Sequence, residues 1–157
     1  MRAFQASATL TAGAETLTIT GSSITAGIHT PTAVIDATTV GDARCLADHP
    51  EFAGKVVVCL RGTNGRAEKG KHVLDSGGVG MLLRNGAVQD TETDNHFVPA
   101  IHFDKPAGDQ LEAFVTAHPD ALVTTTDAVK ATAQGDVMAA FSSRGPGGPV
   151  LKPDVTA

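Results

Sequence analysis

Val56-Val57-Val58-Cys59-Leu60, then Arg61-Gly62-Thr63-Asn64-Gly65-Arg66, then residues 67 to 78, then Val79-Gly80-Met81-Leu82-Leu83-Arg84-Asn85-Gly86: the reading of this run decides the fold. Five apolar or near-apolar residues in a row read as a strand buried on both faces. Gly62, Asn64 and Gly65 break it, and the Asn64 side-chain oxygen is placed to cap a helix by accepting a backbone N–H. Ala67, Gly70, Val73, Leu74 and Gly77 then share one face at helical spacing. Gly77-Gly78 supplies a left-handed stop, and residues 79 to 83 form a second buried run. Strand, helix and strand of these lengths make a parallel crossover.

Outward from this unit, the chain alternates at both ends. Phe4, Ala6, Ala8 and Leu10, a turn at Gly13, then Leu17 and Ile19 predict a hairpin with one buried face. A short strand is expected at 32 to 35. Residues 38 to 54 carry Gly41, Pro50 and Gly54 and read as an ordered loop with one helical turn at 43 to 48. The polar, acidic stretch Gln89-Asp90-Thr91-Glu92-Thr93-Asp94-Asn95 is an exposed loop. A strand follows at 97 to 103, interrupted by Pro99. Asp104 then caps a helix whose face is Ala107, Leu111, Phe114 and Val115, ended by His118-Pro119. Strands are expected at 121 to 126, 129 to 133 and 137 to 141, about nine in all with two helices. Ser142-Ser-Arg-Gly-Pro-Gly-Gly-Pro149 is too rich in glycine and proline for regular structure.

The 157 residues suit one domain. With six Phe and neither Trp nor Tyr, its core must be built from Val, Leu, Ile and Ala. A formal net charge of −5 and scattered Lys and Arg argue against a nucleic-acid partner. No apolar run approaches the length of a membrane span, so no membrane partner is expected. The start shows no signal peptide, so the protein is either cytosolic or a piece of a longer chain. Cys45 and Cys59 do not have zinc spacing. They are two buried thiols, or one disulfide worth about 3 kcal/mol in the chain-entropy model.

Catalytic motifs are missing. Gly65-Arg-Ala-Glu-Lys-Gly70-Lys71 has the glycine and lysine spacing of a phosphate loop, but His72 stands where a Mg²⁺-binding hydroxyl is needed, and residues 66 to 69 belong to a helix. His96, His102 and Asp94 suggest a metal site for an independent metal-binding enzyme. A pair of surface histidines is the simpler reading, and no metal or other cofactor is assigned. No Gly-x-Ser-x-Gly elbow occurs, and the acidic residues are isolated. The residues describe a binding or accessory domain.

Two stretches carry a resemblance. Gly54-Lys-Val-Val-Val-Cys-Leu-Arg-Gly62, with Lys69, Val73, residues 77 to 85 and His96-Phe-Val-Pro-Ala100, resembles the protease-associated (PA) domain inserted into secreted subtilisin-like serine proteases, the cucumisin-like and bacterial members especially. Phe141-Ser-Ser-Arg-Gly-Pro146 and Leu151-Lys-Pro-Asp-Val-Thr-Ala157 resemble the segment by which the protease domain resumes after the insert. The resemblance implies an α+β fold, a mainly β open barrel or sandwich with two flanking helices. It implies lead-in strands at 1–35, the PA domain at 36–134 and a return segment at 135–157. In the family the catalytic Asp, His and oxyanion Asn precede this region and the Ser follows it, so no catalytic role falls on Ser142 or Ser143. The resemblance also favours a Cys45–Cys59 disulfide and an extracellular parent, a serine endopeptidase.

A non-catalytic domain of this kind would shape substrate access, bind protein, or self-associate. The alternative is a purely structural insert that stabilises the protease. Expected partners are the parent's catalytic domain, a protein or peptide substrate, and a second copy. The loops leaving the two central strands are where open α/β sheets place ligands. They nominate Arg61, Asn64, Arg66, Asn85, His96 and Phe97 as contact residues. The plainer reading, and the favoured one, is that Arg61 and Arg66 pair with nearby acids while Asn64 only caps.

Overall fold

The computed structural model describes residues 3–132. The first two strands, β1 (Ala3–Ala12) and β2 (Glu15–Ser22), form the expected antiparallel hairpin around Gly13. Ala6, Ala8 and Leu10 of β1 and Ile19 of β2 point inward. The outward face carries hydroxyls paired across the strands, Ser7 with Thr20 at 2.8 Å and Thr9 with Thr18 at 3.1 Å.

Four parallel strands follow in order: β3 (Thr32–Asp36), β4 (Val56–Leu60), β5 (Gly80–Arg84) and β6 (Ala100–Phe103). Helix α1 (Arg66–Asp75) is the crossover between β4 and β5, and α2 (Lys105–Ala117) follows β6. The last two strands, β7 (Leu122–Thr125) and β8 (Val129–Ala131), both pair with β1. The order β1-β2-β6-β5-β4-β3-β7 returns to β1, so seven strands close a mixed barrel and β8 extends it beside β1, where Ala131 pairs with Ala3. The fold is α+β and mainly β, as expected. The β2–β6 seam rests on one residue pair, Ser22 with His102. Gly21 makes that approach possible, because a Cβ there would lie 2.5 Å from the His102 carbonyl oxygen.

β4, β5 and β6 are buried on both faces, as the unbroken apolar runs at 56–60 and 79–83 predict for the first two, while β3 leaves Ala33 exposed. Val56, Val58, Leu82, Ile101 and Phe103 face an interior shared with Leu10, Val123 and, from α2, Leu111 and Val115. Val57, Cys59, Met81 and Leu83 face a second interior with Phe52, Val73 and Val98. Both helix ends follow from sequence. Asp104 accepts the Ala107 N–H at 2.9 Å. At the end of α1, Gly77 (φ 77°) donates to the Leu74 carbonyl and Gly78 to the Val73 carbonyl, each at 2.8 Å, a Schellman motif.

Four expectations need correction. The turn at 43 to 48 is not helical: short 3-10 turns lie instead at Ala37–Val40 and Pro50–Phe52. The segment between them winds around the Asp42 carboxylate, which accepts the Leu46 and Ala47 N–H groups at 2.7 and 3.1 Å. Asn64 does not cap α1. Gly65 takes the N-cap position, and the Glu68 carboxylate accepts its N–H at 3.3 Å. The buried face of α1 is Lys69, Gly70 and Val73, while Leu74 and Val79 are exposed. His102 is not a surface residue, being 2% exposed, because the 85–99 loop folds back over β6. The strand expected at 137 to 141 and the segment from 142 onward lie outside the described residues.

Candidate partner-binding ridge

The loops after β4 and β5 meet in one ridge. Past Leu60 the chain makes a γ-turn, with the Asn64 N–H donating to the Gly62 carbonyl at 3.0 Å and Thr63 between them at φ 70°. A β-branched residue in that conformation is strained, and three contacts hold it. The Cys45–Cys59 disulfide, with Cα atoms 5.8 Å apart, ties the 42–49 segment to β4. Lys69, fully buried, reaches out of α1 and donates to the carbonyls of Arg44 (2.5 Å) and Gly62 (2.8 Å) and to Asn64 Oδ1. Asn64 Nδ2 donates to the Cys45 carbonyl at 3.4 Å. Burial, reinforced by the nearby Arg44 charge, pushes the Lys69 ammonium down to about 8.

The second loop is held by ions. Arg66 clamps Asp94 (Nε to Oδ2, 2.5 Å) and Glu92 (Nη2 to Oε2, 2.5 Å). The hydrogen bond to Arg66 holds the Asp94 carboxyl below its ordinary range, and Asp94 in turn raises Arg66. Arg61 donates to the Asp90 carbonyl at 3.0 Å, reaches Asn85 Oδ1 at 3.5 Å and stands 3.7 Å from Glu92. Asn85 has no exposed surface and donates to the Gln89 carbonyl at 3.0 Å.

Beneath this loop sits His102. The Glu92 N–H donates to its Nδ1 at 3.0 Å, which assigns the ring proton to Nε2, and Nε2 donates to Asn85 Oδ1 at 2.8 Å. Burial pushes His102 down to about 4 and lowers His96 as well. His96 Nδ1 is buried and has no hydrogen-bond partner among the described residues, facing Gly70 of α1. Phe97 is the apolar crest of the ridge, 55% exposed.

The structure therefore brings all six nominated residues to the ridge but uses them unequally. Arg61 and Arg66 spend their charge on Glu92 and Asp94, as the plainer reading expected, and Asn85 is internal. Asn64 anchors Lys69. Phe97 alone among the six is largely open to solvent, with His96 half-buried beside it. Sequence reasoning missed Lys69, Glu92 and His102 as the residues that fix the ridge. The signal for Lys69 was its place on the Gly70 and Val73 face of the helix. His102 keeps both ring nitrogens engaged, and no group of three His, Cys, Asp or Glu among the described residues is arranged to hold a metal ion. The groove of about 450 Å³ along β1 and β7, lined by Ser7, Thr9, His29 and residues 124 to 127, contains none of the nominated residues. Among the described residues no helix is long and apolar enough to cross a membrane.

The family model described as the PA domain matches residues 12–111, and the chain belongs to that family. Subtilisin-like protease SBT1.7 of Arabidopsis thaliana is 41% identical over 111 residues, covering 66% of this chain and 15% of that protein. Subtilisin-like protease SBT1.4 of the same plant is 36% identical over 152 residues, 88% of this chain and 20% of that protein. The chain thus spans a fifth or less of the length of these relatives. Among solved structures, a zinc aminopeptidase from Bacillus subtilis aligns over 83% of this chain and 35% of its own, at 16% identity and a TM-score of 0.47, a likeness too low to carry any argument.

Proposed function

We propose that this PA domain is a non-catalytic part of an extracellular subtilisin-like serine endopeptidase, with residues 1–35 leading in from the protease while their strands complete the barrel formed with 36–134, and with 135–157 returning to the protease. The similarity to proteins named subtilisin-like proteases supports the parent. In this reading the ridge of residues 61–66 and 85–97 shapes which protein substrates reach the catalytic domain. The observation that carries it is Phe97: a large apolar side chain held out to solvent on a ridge that a disulfide, a buried lysine and an ion cluster make rigid. A preorganised surface loses little freedom on binding, and an aromatic anchor is the side chain such contacts use most.

Heteronuclear NMR of the chain, titrated with an unfolded protein substrate or a peptide library, tests this. Shifts confined to 61–66 and 85–97, with Phe97 largest, are expected. No shift at millimolar substrate overturns the substrate-binding role. The internal neutralisation of Arg61 and Arg66 favours a second reading, a structural insert that binds nothing. Replacement of the whole barrel, 3–131, by a short linker in the parent would then lower stability and leave cleavage preference unchanged. Self-association through the same crest would instead appear as a concentration-dependent shift with no substrate present.

A further inference from the structure

Asn64-Gly65 and Asn85-Gly86 are the two Asn-Gly pairs of the chain, and both lie in the ridge. Glycine after asparagine leaves the following backbone nitrogen unhindered, so that nitrogen can attack the side-chain amide carbon. The surroundings of the two pairs differ in burial, in the nearest donor to the amide oxygen and in the group beside the attacking nitrogen.

At Asn64 the carbonyl oxygen accepts a hydrogen bond from the Lys69 ammonium, a cation aimed at the atom where negative charge develops on attack. The attacking group, the Gly65 N–H, already donates to a Glu68 carboxylate oxygen at 3.3 Å, within reach of a general base. Asn64 is half-buried and Gly65 exposed, so water reaches the product. At Asn85 the side chain has no exposed surface, and its oxygen accepts at 2.8 Å from the neutral His102 ring, with the Arg61 guanidinium only at 3.5 Å.

We propose that Asn64-Gly65 is a self-modifying site at which the fold promotes conversion of Asn64 to aspartate or isoaspartate. Glu68 takes the proton from the Gly65 nitrogen as the N–Cγ bond forms, and the electron pair of the carbonyl moves onto Oδ1 beside Lys69. The tetrahedral centre collapses, the Cγ–Nδ2 bond breaks, and Nδ2 leaves as ammonia with the proton returned by Glu68. One water then opens the five-membered imide, giving a carboxylate. No oxidant or co-reactant is needed. The new carboxylate faces Lys69, which has no carboxylate within ion-pair distance among the described residues, and it adds one negative charge to the ridge.

The test is to age the full chain at neutral pH, folded and in urea, and to follow the mass gain of amide-to-acid conversion in the peptides that contain Asn64 and Asn85. Glu68→Gln is the first variant, because Glu68 is exposed and glutamine keeps an acceptor for the Gly65 N–H. Gly65→Ala is the second. Gly65 has φ −61° and the nearest atom to an added Cβ is 3.8 Å away, so alanine fits the fold, which circular dichroism verifies. Conversion at Asn64 that is faster folded than in urea, slowed about tenfold or more by E68Q and suppressed by G65A, while Asn85 stays intact in the folded chain, is the expected result. Conversion at Asn64 no faster folded than in urea, or unchanged in E68Q, overturns the proposal.

Discussion

Val56 and Val57 are adjacent in the chain, but they face interiors built on different principles. Val56 looks into the barrel, where the apolar side chains of Leu10, Leu82, Ile101, Phe103, Leu111 and Val123 meet, with one buried cation, Arg84, lying against α2 and donating to Glu112. Val57 looks toward α1, where the apolar cluster is capped by a disulfide, a buried ammonium and the ion-paired loop above His102. Strands and an amphipathic helix supply the first interior, and burial of apolar surface is enough to hold it. The second is roofed by loops at 37–55, 61–65 and 85–99, which add Ala37, Phe52 and Val98 to its apolar cluster but are otherwise mostly polar. They are held by bonds aimed at particular atoms. A PA domain of this design keeps its stability in the barrel and its shape in the ridge.

Phe103→Ala should show the largest effect, a loss of about 3–5 kcal/mol in urea unfolding, since a fully buried aromatic is removed from the barrel interior. If amide exchange at 61–66 stays slow while the barrel strands open, the two interiors are separate cooperative units. Replacing Cys45 and Cys59 together by alanine should cost about 3 kcal/mol. Exchange should rise first at 43–49 and 61–65, and a uniform rise across β1 and β2 would break the division drawn here.

The pH response separates the interiors further. His102 sits at about 4 in the fold, below its ordinary 6.5. Between those values the unfolded chain binds a proton that the native chain does not, so stability falls on acidification from 6.5 to 4, by up to about 3 kcal/mol. Asp94 and Asp42, both held below the carboxylate value of 3.8, add a further loss as pH drops beneath it. Denaturation at stepped pH checks this, and His102→Gln should flatten the upper window. A slope left intact by that change would remove His102 from the account. The smallest effect belongs to Arg66→Ala, under about 1 kcal/mol and fading with added salt, because its acids are partly exposed.

The barrel side was largely legible in the sequence. Alternation in 3–20, unbroken apolar runs at 56–60 and 79–83, and the Asp104 cap are local signals, and the fold keeps them apart from Val79, which is exposed. The ridge was legible only as a location. Helical spacing put Leu74 inside and did not reveal Lys69 as buried, because a lysine is buried only when acceptors wait for it. Those acceptors come from residues 44, 62 and 64, which tertiary structure alone assembles. His102 read as a surface residue because the stretch that covers it, 89–95, is polar throughout. The disulfide was undecided from spacing and followed from the family resemblance.

Ala3 opens the first strand and Ala131 closes the last, and the two stand opposite each other in neighbouring strands. Adjacent strands lie about 5 Å apart, so the path through the whole described fold begins and ends at one doorway. Such a topology can be grafted onto any hairpin-sized opening in another protein with almost no loop-closure cost. By the same geometry, a short peptide joining 131 to 3 would let the chain be circularly permuted and cut open elsewhere with the barrel intact.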